Sequence, residues 1–166
     1  MLITRQHALS LEEPAIDWRW FVYMPPVEGV STNVSKIVAE NVSFPFRNIQ
    51  SQPRFLGGTY KKYPSMSEVE NVDISFYEDH KFSITLYLKK WRKMIYDSDT
   101  GIYGMPVNYK KDIYLEIYDS QGNLGFKGIL IGAYPIGQNN FDLDYTSGGR
   151  LNVTASFAID DTKNLS

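Results

Sequence analysis

Residues 109–135 constrain the fold more than any other stretch of this chain. Ile113, Leu115 and Ile117 fall on one side of an extended backbone and Tyr114, Glu116 and Tyr118 on the other, the period of two of a strand with one buried face. Asp119, Gly122 and Asn123 are turn residues, and Gly122 is free to take a positive φ. Between Phe126 and Tyr134 the chain is then almost continuously apolar, broken by glycines. That fits a strand covered on both faces or paired into a larger assembly. The stretch predicts a hairpin, and the hairpin needs a sheet around it.

The rest of the chain supplies one. Strands are predicted over 18–24, ended by Pro25 and Pro26, over 36–43, with Ile37 and Ala39 opposite Val38 and Glu40, and over 69–77, where Val72, Ile74 and Phe76 share a face. Further strands are expected over 141–145 and over 151–159, where Leu151, Val153, Ala155, Phe157 and Ile159 alternate with polar or small residues, with Ser147, Gly148 and Gly149 turning between them. From His80 the period changes: Ile84, Leu88, Trp91 and Ile95 make one stripe of an amphipathic helix over about 80–96, with Asp79 as its N-cap. Lys89, Lys90, Arg92 and Lys93 fall late in it, at the negative end of the helix dipole. The fold class is mainly β: an antiparallel two-sheet β-sandwich or open barrel of seven or eight strands with one flanking α-helix. Residues 1–17 read as an N-terminal arm and 18–166 as a single domain.

Composition narrows the function. With no cysteine, thiol nucleophiles, cysteine-ligated zinc and iron–sulfur clusters are excluded. A net charge of −2 gives no global basic field for nucleic acid. No segment approaches the ~20 apolar residues of a membrane span, so a soluble intracellular product without membrane insertion is expected.

Residues 44–67 change character. Phe44, Phe46, Arg54, Phe55, Tyr60, Lys61, Lys62 and Tyr63 mix with Pro and Gly in an irregular or hairpin-like segment, with little periodicity. Arg54, Lys61 and Lys62 beside Phe55, Tyr60 and Tyr63 could stack on a single strand of nucleic acid. The acidic balance favours a protein contact, for which Tyr, Phe and Arg are enriched.

Catalysis finds no constellation. His80 with Glu78 and Asp79 is read as helix-start polarity, and His7 stands in the arm. Asp97, Asp99 and Gly101 fail the calcium-loop register, since Ile102 and Asn108 occupy the sixth and twelfth positions. Asp142 and Asp144 alternate with Phe141, Leu143 and Tyr145 as the polar side of a strand. There is no Gly-x-Ser-x-Gly elbow, and Gly57-Gly58 is followed by no Gly-Lys-Ser/Thr. No enzyme activity, catalytic residue, metal or cofactor is expected.

The order of features does point somewhere. Val42, Ser43, Phe44 and Pro45 end an early strand; Gly57-Gly58 and a loop through Lys62, Tyr63 and Pro64 follow. Then come the strand from Val72 to Phe76 running into a helix with Trp91, the run Pro106, Val107, Asn108, Tyr109, Lys110, Lys111, then Gly132, Ala133, Tyr134, Pro135, and a final alternating strand ending in Asp160. Over about residues 18–160 the chain resembles the tail tube proteins of long-tailed, particularly contractile, bacteriophages, whose fold the type VI secretion tube protein shares. The resemblance implies a structural virion protein. Its hexameric rings would stack into a hollow tube for DNA, assembled in the host cytoplasm and housed in the virion tail. Its implied partners are itself, the sheath, baseplate and tail terminator proteins, with phage DNA and the tape-measure protein passing through the lumen without specific binding.

On that reading residues 44–67, with Phe44, Phe46, Arg54, Phe55, Tyr60, Lys61, Lys62 and Tyr63, are an extended segment for contacts between subunits or rings. A polar or acidic lumen is expected, since a basic one would hold phosphates. The face bearing Tyr114, Glu116 and Tyr118 is a candidate lumen or subunit contact. Two other readings stay open: a baseplate ring of the same fold that initiates the tube, and a monomeric ligand-binding β-module.

Overall fold

The computed structural model describes residues 19–30, 39–139, 141, 146 and 148–165. The arm at 1–17, residues 36–38 of the second expected strand and nearly all of the strand expected at 141–145 lie outside them.

In chain order the elements are β1 (Trp20–Tyr23), β2 (Ala39–Val42), β3 (Asn48–Leu56), β4 (Thr59–Glu68), β5 (Val72–Tyr77), α1 (Ser83–Ile95), β6 (Tyr96–Asp97), β7 (Ile102–Tyr103), α2 (Pro106–Tyr109), β8 (Lys111–Tyr118), β9 (Leu124–Gln138), β10 (Asn152–Ala158) and β11 (Asp161–Asn164). The main sheet has the order β1-β8-β9-β10-β5-β2, with β11 added to β9, and every pairing is antiparallel. The mainly β, antiparallel fold with one substantial flanking helix is thus the one the alternation of apolar residues predicts.

β9 organises the sheet. Its first part lies between β8 and β11, with Leu130 opposite Ile113 on one flank and Thr162 on the other. Beyond Gly132 it pairs with β10, from Tyr134 opposite Ala158 to Gln138 opposite Ala155. The change of partner divides the sheet into two wings, β1-β8-β9-β11 and β9-β10-β5-β2. Gly132 makes the bend with φ +65, a left-handed conformation that side chains other than glycine's disfavour. Strands that bend from one sheet into another form the corners of such sandwiches. The strand expected to end at Tyr134 runs on to Gln138. Past Ala133 β9 is paired by described strands on one side only, so a proline without an N–H is tolerated there.

Both wings and α1 enclose one core. Ile113, Leu115 and Leu130 come from one wing and Val72, Ile74, Phe76, Val153, Ala155 and Phe157 from the other. α1 adds Ile84, Leu88 and Trp91, as its stripe predicts, and also Tyr87. Trp91 is fully buried, its ring 5.7 Å from both Tyr87 and Phe157, and its indole N–H donates to the Tyr109 carbonyl at 2.7 Å. The Tyr87 hydroxyl donates to the Pro25 carbonyl at 2.6 Å, tying the segment after β1 to the helix, and burial pushes its phenol pKa up.

α1 starts at Ser83, three residues later than the hydrophobic period suggests, because Phe82 at its N-cap takes φ +55 and breaks the turn. The capping is done from further upstream. Asp79 accepts the Ser83 N–H at 2.9 Å, and Glu78 accepts those of Ile84 and Thr85 at 3.1 and 3.0 Å. Three first-turn amides without helical partners are satisfied this way.

Candidate functional site

Residues 48–68 form a two-stranded hairpin outside the main sheet, β3 paired only with β4 among the described strands. Its turn is Gly57-Gly58, both with positive φ, +58 and +86. Two positive φ values in a two-residue turn match the right-handed twist of the strands and need glycine. Phe55 faces Tyr60 across the ladder with ring centroids 5.2 Å apart, and Arg54 lies 5.9 Å above the Tyr63 ring. Arg54 also stands directly opposite Lys61, a like-charge pair that weakens the ribbon. Every residue of both strands is exposed, with Phe55 at 64% and Tyr60 at 75%.

Six of the eight residues singled out from the sequence therefore meet on this hairpin: Arg54, Phe55, Tyr60, Lys61, Lys62 and Tyr63. The other two stand at its base. Phe46 is exposed, whereas Phe44 is half-buried against the core, 5.5 Å from both Phe46 and Phe126. Gly128 makes room for it, since a side chain there would collide with the Phe44 ring. Sequence reasoning missed the anchor of the base, Arg47, which pairs with Asp161 at 2.7 Å and donates to Ser67 at 2.9 Å. That pairing holds the Asp161 carboxyl below the usual aspartate range. A lone arginine amid aromatics carries no signal of a partner more than a hundred residues away.

The other charged clusters are largely committed inside the chain. Glu78 and Asp79, considered with His80, cap α1. Of the α1 cations, Lys90 donates to the Gly29 carbonyl, Arg92 to Gln138 at 2.9 Å, and Lys93 pairs with Asp99 at 2.9 Å and Asp97 at 3.6 Å. Asp97 and Asp99 thus belong to a post-helix turn, where Asp97 also accepts the Asp99 N–H at 3.0 Å. Asp142 and Asp144 lie outside the described residues. Among the described residues no group of three or more His, Asp or Glu side chains is placed to hold a metal, and no helix is long and apolar enough to cross a membrane.

On the outer face of β8, Glu116 takes a salt bridge from Lys127 at 2.9 Å and a hydrogen bond from the Tyr118 hydroxyl at 2.7 Å. Lys127 first and Tyr118 second hold the Glu116 carboxyl below its usual range, and the same carboxylate pushes the Tyr118 phenol up to about 12. Phe21, 58% exposed, packs edge-on against Tyr118 at 5.8 Å.

No family model and no curated protein matches the sequence. Solved structures do match in fold. A chain of the sheath/tube terminator of the PVC extracellular contractile injection system, in its extended state, superposes with a TM-score of 0.73 at 18% identity, over 95% of this chain and 100% of that one. A chain of the six-fold symmetrised anti-feeding prophage baseplate gives 0.71 at 14% identity, over 94% and 98%. Hcp1 of Flavobacterium johnsoniae gives 0.52 at 12% identity, over 89% and 94%. The chain has the fold of these tube and injection-system proteins, as its resemblance to tail tube proteins implies.

Proposed function

We propose that the chain is a structural, non-enzymatic subunit of a contractile tail tube, six copies forming a ring and rings stacking into a hollow conduit. The observation that carries the reading is the β3–β4 hairpin. A two-stranded ribbon standing free of any core is marginal in water, and this one displays Phe55, Leu56 and Tyr60 to solvent. Such a ribbon gains most from a neighbouring molecule that covers it. Phe55, Tyr60 and Tyr63 would supply the apolar contact to the next ring, and Arg54, Lys61 and Lys62 the polar rim.

The sheet suits ring closure. In the wing β9-β10-β5-β2 successive strands alternate in direction, so its first and last strands run oppositely. No described strand pairs with the free side of β2, or with that of β9 beyond Ala133. Copies meeting β2 to β9 would continue the antiparallel order and remove the open edges that otherwise invite aggregation. The partners on this reading are a second copy at each edge, a sheath outside, a baseplate and a terminator at the ends. DNA and a tape-measure protein would pass within a phage tail. The likeness to a baseplate chain supports a second reading, a single ring that initiates a tube.

Negative-stain microscopy of the purified protein at high concentration tests the proposal. Rings and stacked tubes are expected, and single layers that never stack would select the initiator. A monomer that persists under all conditions, phage-like salt included, overturns both.

A further inference from the structure

Exposed apolar surface collects in two places. On the hairpin Tyr60 is 75% exposed, and Ile49, Phe55 and Met66 are nearly as open. The second place follows α1, where Val107 is 82% and Tyr103 75% exposed beside Ile102 and Met105. Every other large apolar side chain among the described residues is less exposed than these eight. The second place is a knuckle held against the core. β6 and β7 pair, Tyr96 and Tyr103 bring their rings to 4.8 Å, and the Gly104 N–H donates to the Ile95 carbonyl at 2.9 Å. α2 follows, and the carbonyl of its last residue, Tyr109, takes the buried Trp91 indole N–H.

We propose that residues 96–107 are the surface on which the β3–β4 hairpin of a copy in the next ring docks; the inference rests on the tube reading above. The charges are complementary. From Asn48 to Ser67 the hairpin carries Arg54, Lys61 and Lys62 and no carboxylate, whereas 96–107 carries Asp97 and Asp99 and no cation. Both aspartates share the single ammonium of Lys93, which leaves one negative charge uncompensated, and the Asp99 side chain is 77% exposed. Two hairpins would set cation against cation and two knuckles carboxylate against carboxylate, so each place favours the other over its own kind. Tyr and Met, which the knuckle displays, are enriched in protein contacts. A contact between unlike patches of one chain is head-to-tail and propagates from copy to copy, as stacking requires. β4 has ten residues, which at about 3.4 Å each put the tip roughly 30 Å from its base, long enough to reach another subunit. The aromatic face of β1 and β8 is a poorer match, being less exposed and centred on a closed Glu116–Lys127 pair.

A chain without cysteine makes the test direct. Thr59→Cys chains, altered at the hairpin tip, and tagged Ser98→Cys chains are co-assembled with unmodified chain and treated with a short bismaleimide. Tagged Gln121→Cys, on the turn between β8 and β9, replaces Ser98→Cys as the reference. Proximity raises the effective concentration of the two thiols, so in tubes the Thr59–Ser98 product should exceed the Thr59–Gln121 product by roughly tenfold or more. Free subunits should show no such preference. A chain carrying both Thr59→Cys and Ser98→Cys should give covalent strings of more than six subunits, because each link passes from ring to ring. Tubes without the Thr59–Ser98 product, or strings that stop at six as a contact within one ring would give, overturn the inference while leaving the tube reading intact. The absence of tubes from the unmodified chain would overturn the tube reading itself. Asp97→Asn with Asp99→Asn should raise the protein concentration needed for tubes by roughly tenfold at low salt and little at high salt, where screening already removes the attraction. An unchanged requirement at low salt would also count against the assignment.

Discussion

Gly132 and Asp160 meet where β9 passes from one wing to the other, and there is no room between them for a side chain. The Asp160 carboxylate lies over the glycine and takes the Lys110 ammonium at 2.7 Å. The Gly132 N–H is accepted by Asp112 at 3.1 Å. Gly132→Ala should destabilise the subunit twice over, by about 1–2 kcal/mol for the left-handed backbone and further by displacing an ion-paired carboxylate. Asp160→Gly in the same chain should recover the second part and not the first. Urea unfolding of the two variants measures both, and a Gly132→Ala protein as stable as its parent would refute the account.

Trp91 offers a separation of packing from hydrogen bonding. Trp91→Ala removes the fully buried indole between Tyr87 and Phe157 and should cost about 3–5 kcal/mol. Trp91→Phe keeps a ring in the core but leaves the Tyr109 carbonyl without its donor, adding about 1–3 kcal/mol to the smaller loss of volume. Denaturant midpoints should fall in the order parent, Phe, Ala. A Phe variant indistinguishable from the parent would show that the indole N–H contributes nothing.

The capping carboxylates predict an acid limb. Hydrogen bonds from the Ser83 backbone and hydroxyl hold Asp79 below its usual pKa, and the Asn123 side chain and backbone do the same for Asp119. A depressed folded pKa means stability that is complete above the unfolded aspartate value, about 3.9, and is lost as pH falls through the folded value. Thermal midpoints should therefore hold steady from neutrality down to mild acid and then drop. Asp79→Asn should make that drop shallower. Glu78→Ala, which frees the Ile84 and Thr85 amides, should cost about 0.5–2 kcal/mol at neutral pH. An Asp79→Asn profile parallel to the parent's would remove Asp79 from the explanation.

Replacing residues 52–63 by a short turn separates folding from assembly. Ser51 already faces Pro64 across the ladder, so the shortened ribbon can close there. Since the removed residues touch solvent rather than core, subunit stability should stay within about 0.5 kcal/mol of the parent. Tube formation should be abolished. Tubes formed by the shortened chain would rule the hairpin out as the contact between rings.

What the sequence made legible follows from what burial writes into it. Val72, Ile74 and Phe76, or Val153, Ala155 and Phe157, alternate because one side of each strand faces the core, and Ile84, Leu88 and Trp91 are spaced to face it from a helix. β3 and β4 have no buried side, so nothing imposes alternation on them, and only Gly57-Gly58 betrays the ribbon. β11 is hidden for a related reason: Asp161, Thr162, Lys163 and Asn164 join the sheet through backbone hydrogen bonds to β9, which leave no mark on composition. The site residues were legible as a cluster of aromatic and basic types. Phe44 departs from them, because only the three-dimensional fold brings it over Gly128.

The double membership of β9 also sets how the subunit opens. One strand is bonded on both flanks in its first part and then carries the ladder into the second wing, so neither wing can come apart without disturbing the other. Fraying can begin at β1 and β2, which lie at the two ends of the order, or in the free hairpin. Amide protons of Leu130 and Ile131 should accordingly be among the last to exchange with deuterium, and those of Phe55 and Tyr60 among the first. The subunit would then keep a slow-breathing spine beneath an outer ribbon that rearranges freely as it meets its neighbour.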